Sequence, residues 1–263
     1  MNIPSSEDAI HRVSTLEITE GVARLTLNRP PLNILTLAMI RQLAEGLDTV
    51  AQHTWLKAMV LAATGKAFCA GVDVADHTPE RTEPMIREFC ALFTRLRTLP
   101  VPTIAVVQGA ALGGGTELAV ACDMVLATTS ARFGQPEIKL GVFPPIAAAL
   151  FPQLIGYQQA ARLLFSGETI TASEAVQLGL ITYVATDDEL ETALERLLTQ
   201  FRGMSAAALR MTKRALLYGA DLGVARALPR IEELYLQDLM ATADAREGVQ
   251  SFIEKRQPVW SDA

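Results

Sequence analysis

Two glutamates, Glu117 and Glu137, lie twenty residues apart in the stretch from Val101 to Pro145, and three consecutive glycines, Gly113 to Gly115, come just before the first. Carboxylates move protons, and the unpaired amides of a glycine-led helix start hold negative oxygen. The combination suits proton transfer beside a developing oxyanion. Other chemistries fail on the residues. Gly109 and Gly114 have Walker spacing, but the lysine position is Gly115, and Leu118 stands where a dinucleotide fingerprint needs its third glycine. Neither HExxH nor GxSxG occurs, and His11, His53 and His77 are too scattered to form a metal cluster, so no metal site is expected.

The elements around these residues must bring them together. Pro102 to Val107 is apolar and β-branched and stops at Gly109; Glu117 to Cys122 is short and apolar, and a second apolar run spans Met124 to Ala127. This reads as strand, glycine turn, helix, strand. Parallel crossovers share one hand, so the loops after both strands open on the same sheet edge and the two glutamates are expected to face one cleft. Taken singly, each residue has a plainer account. Glu117 could be a first-turn acid favoured by the helix dipole, Glu137 a solvated acid in a loop beside Pro136, and the glycines a tight turn. Their coincidence at one edge favours chemistry. Cys69-Ala70-Gly71-Val72 offers a second small-residue turn where backbone could approach a ligand, although its spacing alone reads as an ordinary loop. His77 by itself reads as a surface or hydrogen-bonded histidine.

Upstream, Thr15 to Thr19 and Val22 to Asn28 alternate around Glu20-Gly21, which predicts a hairpin. Thr36 is placed to cap a helix carrying Leu37, Ile40, Leu43, Leu47 and Val50, and Lys57 to Ala62 reads as a third strand. Met85, Phe89, Leu92 and Leu96 then mark a second amphipathic helix. Beyond Pro145 the chain turns helical. Thr171 to Glu174 and Asp244 to Glu247 have capping-box spacing, Gly179 closes a helix, and Leu180 to Val184 is a late short strand. Helices are predicted over 188–201, 205–217, 229–242 and 244–255. Leu234, Tyr235, Leu236, Leu239 and Met240 give more apolar surface than one stripe needs. The expected organisation is therefore a core over 1–202 and a helical oligomerisation region over 203–263 that packs on another subunit.

Composition sets the class. Half of the 263 residues are apolar, enough for a sizeable core, and the formal charge of −6 argues against a nucleic-acid partner. Cys69, Cys90 and Cys122 lack CxxC spacing, which suits reduced, buried thiols. The polar, acidic start MNIPSSED lacks the features of a signal peptide, and no apolar run approaches the ~18 residues of a membrane span; cytoplasm is the expected location.

AFCAGVD at 67–73, VQGAALGGGTELAVACD at 107–123, FGQPEIKLGVFP at 133–144, ITASEAVQLGL at 170–180 and REGVQSFIEKRQPVW at 246–260 resemble the enoyl-CoA hydratase (crotonase) superfamily, in order and over nearly the whole chain. The resemblance implies an α/β spiral of repeated ββα units with a helical C-terminal trimerisation region, assembled as a trimer or a dimer of trimers. It implies an acyl-CoA thioester substrate with no separate cofactor, an oxyanion hole from the Val72 and Gly114 amides, and Glu117 and Glu137 as the catalytic pair. It further places Ala70, Phe252 and Lys255 at CoA, the last two reaching a neighbouring subunit's ligand. For Lys255, a helix C-terminal cation satisfying the dipole is a compatible plainer account.

One departure concerns the substrate. Common straight-chain hydratases carry a glycine-rich PGxGG-like segment after the second glutamate, whereas this chain has Pro144-Pro145-Ile146-Ala147-Ala148-Ala149. Pro145 and Ile146, with His77, are therefore expected to line the substrate pocket as a bulkier wall. With RPPLNIL at 29–35 and ELYLQDLMATADAREG at 233–248, the segment looks most like the branch of the family that hydrates cyclohexa-1,5-diene-1-carbonyl-CoA in anaerobic aromatic degradation. An ordinary 2-enoyl-CoA hydratase or isomerase is the alternative. Some relatives of the fold bind RNA, a role that the acidic balance and the intact glutamate pair oppose.

Overall fold

The computed structural model describes residues 13–262, so His11 and the first residues lie outside the described chain. The chain opens with the expected hairpin, β1 (Ser14–Thr19) and β2 (Val22–Leu27). Its turn residues Glu20 and Gly21 both take positive φ, 50° and 78°, which matches the twist of the flanking strands. Helix α1 (Leu37–Ala51) starts where Thr36 accepts the Met39 N–H, and it buries Ile40, Leu43, Leu47 and Val50. Strand β3 (Ala58–Ala63), helix α2 (Thr82–Thr98), strand β4 (Thr103–Val107), helix α3 (Gly114–Val120) and strand β6 (Met124–Thr128) follow, with the short strand β5 (Ala110–Leu112) between β4 and α3.

The main sheet has the order β1-β2-β3-β4-β6-β9, where β9 is Tyr183–Ala185, and every pairing except β1 with β2 is parallel. Both faces are covered. Leu25, Leu27, Met59, Leu61, Ala105 and Val107 pack toward α1 and α2. Val22, Val60, Ala62, Ile104, Val106 and Leu126 meet Leu194 and Leu198 of α7 (Leu190–Arg202). Burial on two sides is why these strands read as continuous apolar runs. A second sheet, β5-β7-β8, is made of three-residue strands, with β7 at Arg132–Gly134 and β8 at Thr169–Thr171. It stacks the next turn of the chain beside the first, and the Cys69–Ala111 bridge ties the 69–72 turn to it.

The rest is helical: α4 (Pro145–Leu154), α5 (Gly156–Ser166), α6 (Ala172–Leu178), α8 (Ala206–Leu222), α9 (Val224–Glu233) and α10 (Ala243–Glu254). Several boundaries differ from the sequence expectations. The late strand starts at Tyr183, not Leu180, and the helix predicted from Pro229 begins at Val224 and relaxes into a π-helical turn over Leu234–Leu239. Thr171 caps α6 as expected, but the Glu174 carboxylate turns to Arg162 at 2.6 Å instead of closing the box. Asp244 is not a cap at all. Thr242 caps α10, and the buried Asp244 carboxylate accepts from Ser205 Oγ, Ser261 N and Oγ, and Asp262 N, which pins the C-terminal tail.

A division between 202 and 203 falls between α7 and α8. Lys213 Nζ of α8 reaches Asp123 at 2.8 Å and the Val101 carbonyl at 3.1 Å, both in the core, and Lys57 of the core pairs with Asp262 of the tail. These pairs, each with a buried lysine and a partly exposed aspartate, tie the helical region to the core. Tyr235, Leu236, Val249, Phe252 and Ile253 remain exposed on it. Among the described residues no helix is long and apolar enough to cross a membrane.

Candidate active site

Helix α3 brings the glycines and Glu117 together. Gly113, at φ 52°, caps it, and the Gly113 N–H donates to the Gly134 carbonyl at 2.8 Å, anchoring the turn to β7. A Cβ on Gly113 would strike the Glu137 carboxylate, and one on Gly115 would overlap the Cys69 carbonyl. The absence of side chains lets the 69–72 turn and Glu137 close on the helix start. A Cβ built on Gly114 would stand 2.8 Å from Val72 Cγ2 and 3.6 Å from Val72 N, so the two backbone segments are neighbours. Among the described residues the Val72 and Gly114 N–H groups donate to no protein acceptor, whereas Gly113, Leu35 and Asp73 around them are all paired. Two free donors side by side can bind one oxygen that gains charge.

Glu117 is 2% exposed, and its Oε1 accepts the Ile146 and Ala147 N–H groups at 2.8 Å each. These are the first free amides of α4, whose N1 residue, Pro145, has none to offer. Burial pushes the Glu117 carboxyl up to about 8; the Ala147 and Ile146 hydrogen bonds oppose that rise and the nearby Glu137 charge adds to it. Glu137 sits on a short 3₁₀ helix, Pro136–Leu140, instead of a solvated loop, and burial raises its pKa too. The buried Gln135 side chain, oriented from the hydrogen-bonding pattern around it, turns its amide nitrogen to Glu137 Oε1 at 3.3 Å and Oε2 at 3.1 Å. Two carboxyls at one cleft that both resist ionisation can divide the proton transfers, one taking a proton while the other gives one.

Both glutamates open on a cleft of about 460 Å³. One wall is a stripe of α2, Thr82, Met85, Ile86 and Phe89; the 70–74 turn, the start of α3 and the 136–145 segment complete it. Ala70, Val72, His77, Gly114, Glu117, Glu137 and Pro145 all line this cleft. Ile146 does not. Its side chain is buried, and it serves the site through its backbone N–H, because the segment after Pro144 coils into α4 and turns that side chain inward. Phe252, 85% exposed, and Lys255, at the αL cap of α10, lie outside the cleft of their own chain. Gln135, Ala147 and the α2 stripe are additions to the sequence reading. Pro145 at a helix start was the available signal for the α4 amides. Among the described residues no group of three or more His, Cys, Asp or Glu side chains could hold a metal ion.

Parallel strands ending in a glycine-led helix thus bring two carboxyls and two free amides to one cleft. A solved crotonase from Legionella pneumophila superposes on this chain with a TM-score of 0.84 at 31% identity, covering 94% of this chain and 98% of that one. The enoyl-CoA hydratase/isomerase family model matches residues 17–263. Cyclohexa-1,5-dienecarbonyl-CoA hydratase of Thauera aromatica is 37% identical over 247 residues, covering 94% of this chain and 95% of that relative. The 2,3-dehydroadipyl-CoA hydratase of Escherichia coli (strain K12) is 36% identical over 243 residues, covering 91% of this chain and 94% of that relative. The crystal structure of an enoyl-CoA hydratase from Bacillus anthracis superposes with a TM-score of 0.90 at 30% identity, covering 96% of this chain and all of that one. The chain belongs to the enoyl-CoA hydratase/isomerase family. It is an enzyme of the enoyl-CoA hydratase type, a hydro-lyase.

Proposed function

We propose that this protein adds water to a compact, conjugated cyclic enoyl-CoA thioester, with cyclohexa-1,5-diene-1-carbonyl-CoA as the substrate. The observation that carries the chemistry is the convergence of Glu117, Glu137 and the free Val72 and Gly114 amides on one cleft. The thioester oxygen sits between the two amides and becomes enolate-like there, a contact worth about 10²–10³ in rate per donor. One carboxylate takes a proton from water as it attacks, and the other carboxyl positions the water and protonates the enolate carbon. The pair starts with a proton on it, which the raised Glu117 pKa supplies.

The ring assignment rests on the 144–149 segment. Pro145 forms a stiff part of the cleft wall, and the α4 amides are locked onto Glu117, so this side cannot yield to an extended chain as a glycine-rich loop does. The Thauera aromatica relative, named a cyclohexa-1,5-dienecarbonyl-CoA hydratase, supports the same substrate. The extension of the cleft along α2 to Thr82 favours an ordinary linear 2-enoyl-CoA as the second reading. The exposed apolar face of the C-terminal helices supports a homotrimer or a dimer of trimers, in which Phe252 and Lys255 serve CoA bound to a neighbouring copy.

Water addition to cyclohexa-1,5-diene-1-carbonyl-CoA and to crotonyl-CoA on one preparation tests the assignment. The ring ester is expected to be favoured by at least ~10-fold in kcat/KM, about 1.4 kcal/mol and within reach of pocket shape. A better linear ester replaces the ring reading with the second one.

A further inference from the structure

The polar side chains lining the cleft are the two glutamates, His77 and Thr82, and no lysine or arginine is among the lining residues. His77 and Thr82 belong to the wall formed by the 3₁₀ turn Val74–His77 and the first turn of α2. Both have their hydrogens committed to backbone. His77 Nδ1 lies 3.2 Å from the Asp73 carbonyl, which can only accept, so the tautomer protonated on Nδ1 is selected, and in that tautomer Nε2 is an acceptor. Asp73 is itself held, since its side chain caps the turn through the Ala75 N–H. Thr82 Oγ1 donates its proton to the Thr78 carbonyl at 2.7 Å, leaving its lone pairs free. Among the described residues His77 Nε2 has no hydrogen-bond partner.

This end of the cleft is remote from the reacting atoms. Phe89 Cζ lies 3.3 Å from the position a Cβ on Gly114 would take, which marks the oxyanion end of the α2 stripe. Thr82 is seven residues back along the same helix, about 10 Å at 1.5 Å per residue. Between them the stripe is Met85 and Ile86, both apolar. A wall that is apolar along its length and ends in two acceptors without donors fits an acyl group that is apolar along its length and ends in a donor.

We infer that His77 and Thr82 are specificity-determining residues that accept a hydrogen bond from a hydroxyl at the distal end of the acyl group, so that among linear enoyl-CoA thioesters the enzyme favours those that end in a hydroxyl. This rests on the reading of the cleft as an enoyl-CoA hydratase site. A distal carboxylate is disfavoured, because it brings further acceptors to a wall without a lysine or arginine.

Three esters of matched length test it on the full-length enzyme: hex-2-enoyl-CoA, 6-hydroxyhex-2-enoyl-CoA and 5-carboxypent-2-enoyl-CoA. The wild type is expected to favour the hydroxylated ester over the plain one by about tenfold in kcat/KM, the effect of one well-made neutral hydrogen bond. His77→Leu and, independently, Thr82→Val are each expected to cut that ratio by more than half, while His77→Gln, which keeps an acceptor, retains part of it. Equal kcat/KM for the hydroxylated and plain esters, preference for the carboxylate ester, or a ratio unchanged in both the leucine and valine variants overturns the inference alone, since hydration still occurs. Hydration of none of the three overturns this inference, and the hydratase reading of the site falls with it only when cyclohexa-1,5-diene-1-carbonyl-CoA is not hydrated either.

Discussion

The Ile146 N–H donates to Glu117 Oε1 at 2.8 Å, so a residue twenty-nine positions downstream of the carboxyl holds it by main chain while its own side chain is buried away from the cleft. The start of α4 thereby fixes Glu117 in an apolar surrounding with two amide donors on one oxygen. The other oxygen is left to the cleft.

That placement makes stability depend on pH. In the folded protein Glu117 titrates at about 8, against 4.5 for the ordinary carboxyl, so between those values the native state holds a proton that the unfolded chain has lost. Stability therefore falls as pH rises through that window, by up to about 1.4 kcal/mol per unit from this group. Glu117→Gln keeps an oxygen for the Ile146 and Ala147 amides and carries no charge. Denaturant unfolding of both proteins at pH 5 and pH 8 should show the variant gaining on the wild type at the higher pH. A constant difference contradicts the assignment.

The buried Gln135 amide donates to the Glu137 carboxylate and favours its ionised form. Gln135→Leu removes that donor, so the Glu137 pKa should rise further. Hydrogen bonds to charged groups are worth about 1.5–3 kcal/mol, which corresponds to about one pH unit or more. The acid limb of the kcat/KM profile should move upward by that amount, with a much smaller change in KM. An unmoved limb removes Gln135 from the account.

Much of the site was legible in the sequence because its parts are local. The glycines, Glu117 and the free amide of Gly114 share one helix start, and Thr36, Thr171 and Gly179 announce the boundaries of their helices. The second sheet was not legible, since β5, β7 and β8 are three residues each, too short for a period to show. Asp244 misled for a different reason. Its spacing to Glu247 fits a capping box, but a carboxylate this buried is claimed by donors from Ser205, Ser261 and Asp262, which are distant in sequence. Ile146 was expected to line the pocket by its side chain and instead meets Glu117 by its main chain, because an apolar side chain after two prolines reads as a wall until the helix turn is seen.

The exposed Tyr235, Leu236, Phe252 and Ile253 lead to the expectation of an assembly of at least three chains, checked by light scattering. Lys255→Ala should raise KM for a CoA ester with a smaller change in kcat, since the far end of CoA is remote from the reacting atoms and contributes uniform binding. An exposed pair of this kind is worth only ~0.2–1 kcal/mol, so the rise should be a few-fold. A monomer contradicts the first expectation, and an unchanged KM the second.

The central claim is that Glu117 and Glu137 act together as the proton-transfer pair for hydration, and turnover of an enoyl-CoA ester by Glu117→Gln, Glu137→Gln and the double variant tests it most directly. Each single change removes a proton-transfer group and leaves the packing in place, so each should lower kcat by at least ~10²-fold with an unchanged circular dichroism spectrum. The double variant should be little worse than the poorer single one, because groups that act as a unit do not add. Near-normal turnover in either single variant contradicts the claim.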